Sequence, residues 1–246
     1  MKAIGVIPAR YGSTRFPGKP LAGILGKPMI QHVWERASQA KTLEKVIIAT
    51  DDERILKKAR EFGAEAVLTS PALSSGTERV AEAAKDLDVD IVANIQGDEP
   101  LIEPQAIDEA IKSLVDNPKI PVATLAYKIT KKEEIENSNV VKVVFDKDNF
   151  ALYFSRSLIP YSKLQDPRSR ITAYKHLGLY IYRKNFLLEF AQMKPTPLEK
   201  IEGLEQLRVL ENGYRIKVVE TECDSIGVDT PEDLEKVKAM IKGERK

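Results

Sequence analysis

The chain has 246 residues, 38 of them Lys or Arg against 37 Asp or Glu, and its net charge of +1 excludes a basic field broad enough to wrap nucleic acid. A 43% hydrophobic and 30% charged composition is that of an ordinary globular protein, and no segment approaches the ~18 uninterrupted apolar residues of a membrane helix. The single Cys223 cannot close an intramolecular disulfide, and the start lacks the apolar core of a secretory signal, so one large cytoplasmic domain is expected.

The first element, "KAIGVI", reads as a buried strand and runs into "PARYGSTRFPGKPL", residues 8–21. That loop carries Arg10, Arg15 and Lys19 with no acid among them. It is not a Walker A loop, because Lys19 is followed by Pro20 rather than a hydroxyl residue, and it lacks the G-x-G-x-x-G of a dinucleotide fold. Its glycines let backbone approach a ligand, and its cations suit a polyphosphate.

Met29, Ile30, Val33, Trp34 and Ala37 then recur at helical spacing, with His32 off the stripe and expected on the exposed face. "KVIIAT", "AEAVLT", "DIVANIQ" and "PVATLAYKI" read as further strands between helices, one of which is marked by Ile107, Ala110, Ile111, Leu114 and Val115. This alternation predicts an α/β fold: a mostly parallel open sheet with helices on both faces. Ser75 with Glu78 reads as a capping box. "QGDEP" leaves the carboxyl end of the strand "DIVANI", the edge where ligands collect in open α/β sheets, and places Gln96, Asp98 and Glu99 beside the cationic loop.

Beyond about residue 130, "NVVKVVFD", "FALYFSRS" and "HLGLYIYR" are strands without long helices between them, which predicts an antiparallel extension or a smaller, partly antiparallel lobe over about 131–200. In "HLGLYIYR" the alternation puts His176, Gly178 and Tyr180 on one face. "TPLEKIEGLEQLRVLENG" predicts one helix capped by Thr196, in which Glu205 interrupts a stripe of Ile201 and Val209 with Gln206 beside it. A last strand pair, "YRIKVVE" and "SIGVD", precedes a helix capped at Thr230 and Pro231. Asp229 in that stretch is a second acidic candidate. With Asp98 it would suit magnesium, which takes one or two carboxylates together with phosphate oxygens.

The segments "PARYGSTRFPGKPL", "SSGTERVAEA", "NIQGDEP", "HLGLYIYR", "EGLEQLRVLENG" and "GVDTPEDLEKV" together resemble the 3-deoxy-manno-octulosonate cytidylyltransferases, from residue 4 to about 238. The resemblance implies a nucleotide-diphospho-sugar transferase-like fold: a nucleotide-binding part over 1–130, a smaller dimer-forming and substrate lobe, and residues 201–246 returning to complete the site. It implies transfer of CMP from CTP to Kdo (3-deoxy-D-manno-octulosonate), with Mg2+ held by Asp98 and Asp229, in a cytoplasmic homodimer serving lipopolysaccharide synthesis. Pro8, Ala9, Arg10, Ser13, Arg15, Lys19, Ser74, Gly76, Arg79 and Gln96 are then expected at the nucleotide, with Ser74 and Arg79 near the cytosine. Gln96, Arg156, His176, Tyr180, Glu205 and Gln206 are expected at the sugar, Arg156 on its carboxylate. Arg10, Arg15, Lys19, Asp98 and Asp229 would carry the chemistry. Alternatives are a related nucleotidyltransferase for sialic acid or a sugar phosphate, a non-catalytic nucleotide-binding regulator, and a glycosyltransferase.

Overall fold

The computed structural model describes residues 1–12, 16–161 and 172–244. Eleven strands are assigned among them: β1 Ala3–Ala9, β2 Gly23–Ile24, β3 Lys27–Pro28, β4 Lys45–Thr50, β5 Glu65–Leu68, β6 Ile91–Asn94, β7 Val122–Lys128, β8 Lys142–Phe145, β9 Ala151–Ser155, β10 Tyr174–Arg183 and β11 Ile216–Thr221. The helices are α1 Met29–Ala37, α2 Glu53–Glu61, α3 Gly76–Ala84, α4 Pro104–Val115, α5 Lys132–Glu136, α6 Lys184–Phe190, α7 Pro197–Glu202, α8 Leu207–Glu211 and α9 Pro231–Glu244.

The main sheet has the order β11-β7-β10-β6-β1-β4-β5, with β8 and β9 attached through β10. Pairings β1/β4, β1/β6, β4/β5 and β7/β11 are parallel. Strand β10 runs antiparallel between β6 and β7. It therefore belongs to the centre of the main sheet rather than to a separate lobe. The alternation of β1 divides its side chains as a doubly covered sheet requires: Ala3 and Ile7 face one core with α1, α2 and α4, while Ile4 and Val6 face another with α3, α6 and α8. A third cluster, built from Ile24, Met29, Leu101, Val228, Leu234 and Val237, docks α9 over the β2/β3 hairpin.

Four expectations need correction. His32 is buried at 7% exposure, its Nε2 bonded to the Ile24 carbonyl at 2.9 Å, because the hairpin folds over that side of α1. Val115, expected on the α4 stripe, is exposed, as the last residue of the helix. The helix expected after Thr196 is two, α7 and α8, because Gly203 takes a left-handed φ of 63° and ends the first. Ile201 consequently points to solvent and Glu205 lies in the turn between the helices, so there is no continuous stripe for it to interrupt. Finally, "SIGVD" forms no strand; its Val228 N–H donates instead to the Asp98 carbonyl at 2.8 Å. The cap that follows is as expected, with Thr230 and Asp233 bonding reciprocally at the start of α9.

Candidate active site

Because β1 and β6 are parallel neighbours, their carboxyl ends leave the sheet side by side. A cleft of about 330 Å³ opens there. Pro8, Ala9 and Arg10 line it from β1, Gln96, Gly97 and Asp98 from β6, and Ser74, Gly76 and Arg79 from the start of α3, with Lys19 and Asp229 closing it. Every described residue expected at the nucleotide is therefore on one surface. Ser13 and Arg15 lie outside the described residues.

The loop that carries Lys19 is shaped by Tyr11 and Gly18. Gly18 adopts a φ of 70°, donates its N–H to the Tyr11 carbonyl at 2.9 Å, and packs its α-carbon against the Tyr11 ring. The Arg54 guanidinium covers that ring, 3.3 Å from its centroid. Gly97 is needed for another reason: a Cβ there would stand 2.9 Å from the Pro8 carbonyl oxygen, so only glycine lets the two loops approach this closely. Gly97→Ala should lower unfolding free energy by about 1–3 kcal/mol, the usual cost of overpacking, read as a shifted urea midpoint. An unchanged midpoint would mean that the loops separate freely.

At the floor of the cleft Lys19 Nζ lies 2.6 Å from Asp98 Oδ2 and 3.3 Å from Asp229 Oδ1. Lys19, expected at phosphate, spans the two carboxylates, each of which attracts its ammonium. The same arrangement tests the fit of magnesium. Two carboxylates, 131 positions apart in sequence (229 minus 98), converge on one cationic centre, and both offer the hard oxygen donors that magnesium prefers. Among the described residues no group of three or more His, Cys, Asp or Glu is arranged to hold a metal. The fit is thus to an ion that takes only part of its shell from protein.

Arg79 is 3% exposed, its guanidinium held by Asp51 at 2.7 Å and by the Thr69 hydroxyl. Ser75 caps α3, accepting the Glu78 N–H, while the Glu78 carboxylate reaches one residue beyond the cap to Ser74. Sequence reasoning missed Asp51 and Thr69, although Asp51 directly follows β4 at the same ligand-facing edge as Asp98 and could have been found by that rule. It also missed Gly97, which sits between two residues it had singled out.

Of the expected acceptor residues, His176, Tyr180, Glu205 and Gln206 gather beside this cleft on the α3 face. His176 and Tyr180 share a face of β10, ring centroids 5.3 Å apart, with Phe154 edge-on to the imidazole. Burial holds the imidazole down to about pKa 3, so it is neutral, with Nε2 bonded to Thr124 Oγ1 at 2.9 Å. Burial likewise pushes the Tyr180 phenol well up. Glu205 accepts from Thr77 Oγ1, adjacent to the cleft-lining Gly76. Gln206 is 6% exposed and its Nε2 has no hydrogen-bond partner among the described residues, a buried donor that carries an uncompensated desolvation cost. Arg156 stands apart from the cleft, its Nε donating to the Glu202 carbonyl at 2.9 Å and its Nη1 to that of Ser138 at 3.3 Å.

No helix among the described residues is long and apolar enough to cross a membrane. The cytidylyltransferase family model matches residues 4–217. A 3-deoxy-manno-octulosonate cytidylyltransferase of Geotalea uraniireducens (strain Rf4) is 55% identical over 98% of this chain and 100% of its own length. That of Geobacter sulfurreducens (strain ATCC 51573 / DSM 12127 / PCA) is 52% identical over 98% and 100%. A solved structure of CMP:2-keto-3-deoxy-manno-octonic acid synthetase complexed with CTP superposes with a TM-score of 0.92 at 44% identity, covering 99% of this chain and 100% of that one. A 4-diphosphocytidyl-2C-methyl-D-erythritol synthase from Anaerococcus prevotii DSM 20548, 17% identical with a TM-score of 0.64, shares the fold alone. A likeness that runs from end to end, in sequence and in backbone alike, leaves one assignment: this chain belongs to the 3-deoxy-manno-octulosonate cytidylyltransferase family.

Proposed function

We propose that the protein transfers CMP from CTP to Kdo, releasing pyrophosphate and CMP-Kdo. The observation that carries nucleotidyl transfer is the convergence of Lys19, Asp98 and Asp229 on one cleft at the carboxyl ends of β1 and β6. The full-length kinship with the cytidylyltransferases supplies the base and the acceptor.

In the reaction the anomeric oxygen of Kdo forms a bond to the α-phosphorus of CTP while the bond to the departing pyrophosphate breaks and the hydroxyl proton is released. The protein's share is positioning and charge neutralisation. Arg10 faces the cleft and supplies a guanidinium for the triphosphate, while Lys19 exchanges carboxylate oxygens for phosphate oxygens as the nucleotide enters. Arg79, locked by Asp51 and Thr69, presents a fixed surface toward the base. His176, Tyr180, Glu205 and Gln206 orient the sugar, and a neutral His176 does so as a hydrogen-bonding group without charge. Arg156 would reach the sugar's carboxylate only by leaving the Glu202 and Ser138 carbonyls that hold its guanidinium. Asp98 and Asp229 would hold magnesium, which would supply positive charge to offset that of the triphosphate. The setting we assign is a cytoplasmic homodimer whose product serves lipopolysaccharide assembly.

One panel decides the substrates. Four nucleoside triphosphates are combined with Kdo, a sialic acid and sugar phosphates, with magnesium, and pyrophosphate release is followed. CTP with Kdo should be the fastest pair. Faster turnover of UTP with a sugar phosphate would replace this reading with that of a related nucleotidyltransferase, and nucleotide binding without turnover would favour a regulator.

A further inference from the structure

Asp229 must be placed within reach of Lys19 and Asp98, yet residues 222–229 form no helix or strand. Something other than secondary structure holds this segment. Besides the apolar packing of Ile226 and Val228, polar attachments hold it upstream of α9: Asp224 pairs with Lys175 at 2.5 Å, Ser225 Oγ donates to Glu99 Oε2 at 2.6 Å, and Val228 N–H donates to the Asp98 carbonyl at 2.8 Å. The middle one joins two buried side chains, Ser225 and Glu99, each 8% exposed.

Glu99 does more than meet Ser225. Strand β10 changes register between Leu177 and Tyr180, so the peptide groups between them leave the ladder. The side chains of "QGDEP" take up both backbone groups of Gly178: Gln96 Nε2 donates to its carbonyl at 3.0 Å, and the Glu99 carboxyl accepts from its N–H. A Cβ at residue 178 would stand 3.0 Å from Gln96 Cγ and 3.2 Å from Glu99 Oε1, so glycine is what admits them. One buried carboxyl thus touches the irregular segment that carries Asp229, the strand that carries His176 and Tyr180, and, through its own backbone, Asp98.

We propose that Glu99 is a positioning residue: by bridging Ser225 and the Gly178 bulge it sets Asp229 against Asp98 and ties this pair to the acceptor-binding face of β10. The inference deepens the functional reading above and rests on Asp98 and Asp229 being the reaction's paired carboxylates. Its role is to accept hydrogen bonds, not to carry charge or move a proton, and this separates it from an acid or base. Glutamine in its place can still accept from Gly178 while its amide donates to the Ser225 hydroxyl, so both bridges survive with the charge gone.

The test uses the full chain and four variants: Ser225→Ala and Glu99→Leu, which cut the bridge, and Ser225→Thr and Glu99→Gln, which keep it. Amide hydrogen exchange of peptides covering 222–229, measured without substrates, should quicken at least tenfold in the first two and stay within threefold of wild type in the second two. In turnover of CTP with Kdo the first two should lose at least tenfold in kcat with the KM for CTP changed less than threefold, because Arg10 and Arg79, on the far side of the cleft from the bridge, are untouched. Ser225→Thr and Glu99→Gln should restore kcat. Unchanged exchange in Ser225→Ala overturns the proposal, as does a collapse of kcat in Glu99→Gln, which would mean that charge is required. Should Glu99→Leu fail to fold, the serine pair decides alone. Absence of turnover in the wild type would remove the functional reading, whereas the exchange comparison still decides what anchors residues 222–229.

Discussion

Asp98→Asn and Asp229→Asn should each lower turnover of CTP with Kdo by about 10²–10³-fold, a barrier increase of roughly 3–4 kcal/mol, while leaving the fold intact. Both side chains lie within 3.3 Å of Lys19 Nζ in the cleft, and both are partly open to solvent, so an amide of the same shape fits without a packing penalty. What it loses is the anionic oxygen on which magnesium binding and the placement of Lys19 depend. The cap of α9 is Thr230, closed by Asp233, whose carboxylate also accepts the Asp229 N–H. Turnover within a few-fold of wild type at saturating magnesium in both Asn variants would refute the paired-carboxylate assignment. Circular dichroism and a urea midpoint, unchanged from wild type, establish that a loss is chemical.

The second large effect concerns stability in acid. His176 is held down to about pKa 3 by burial among Phe154, Tyr180 and Thr124, against 6.5 for an exposed imidazole. Between those values the unfolded chain binds a proton that the folded protein refuses, so stability is lost as pH falls below 6.5. From pH 7.5 to 4 this amounts to about 2–3 kcal/mol, reduced from the full linkage figure because the ring keeps some contact with solvent. Glu99 has the opposite sign. Burial, opposed by its bond from Ser225, raises its carboxyl from 4.5 to about 7, so its contribution is present below pH 4.5 and lost as pH rises toward 7. The two slopes offset each other between about pH 4.5 and 6.5, and the loss due to His176 emerges below that window. Urea titrations of wild type and His176→Gln across pH 4 to 7.5 isolate the histidine: the wild type should lose the stated amount relative to the variant. Parallel curves would show that the imidazole titrates in the folded state as it does in the unfolded chain.

Much of this architecture is dictated locally. The two-residue alternation of "KAIGVI" and "KVIIAT" suffices to place β1 and β4 with a core on each face, since a strand buried on both sides has no polar alternative. Thr230, Pro231 and Asp233 start α9 within four residues of chain. The edge of the sheet on which ligands collect follows from strand direction, which is why Arg10, Lys19, Gln96 and Asp98 could be assigned to one site before any coordinate existed. Motif resemblance added Ser74, Gly76 and Arg79, which line the same cleft.

What the tertiary structure alone decided is everything that depends on which segments meet. Strand order is not encoded in periodicity, so the insertion of β10 between β6 and β7 was illegible, and with it the bulge at Gly178. Burial of His32 comes from a hairpin that folds back over α1, and the end of α7 from the left-handed conformation of Gly203, which glycine permits but does not require. The partners of charged groups belong to the same class. Arg79 meets Asp51, and Lys19 meets both Asp98 and Asp229, across separations of up to 210 residues. Local sequence governs the conformations open to a short stretch through sterics, capping and alternation. Contacts between distant segments are settled by packing of the whole chain, and the spatial relation of Asp229 to Asp98 is a contact of that second kind.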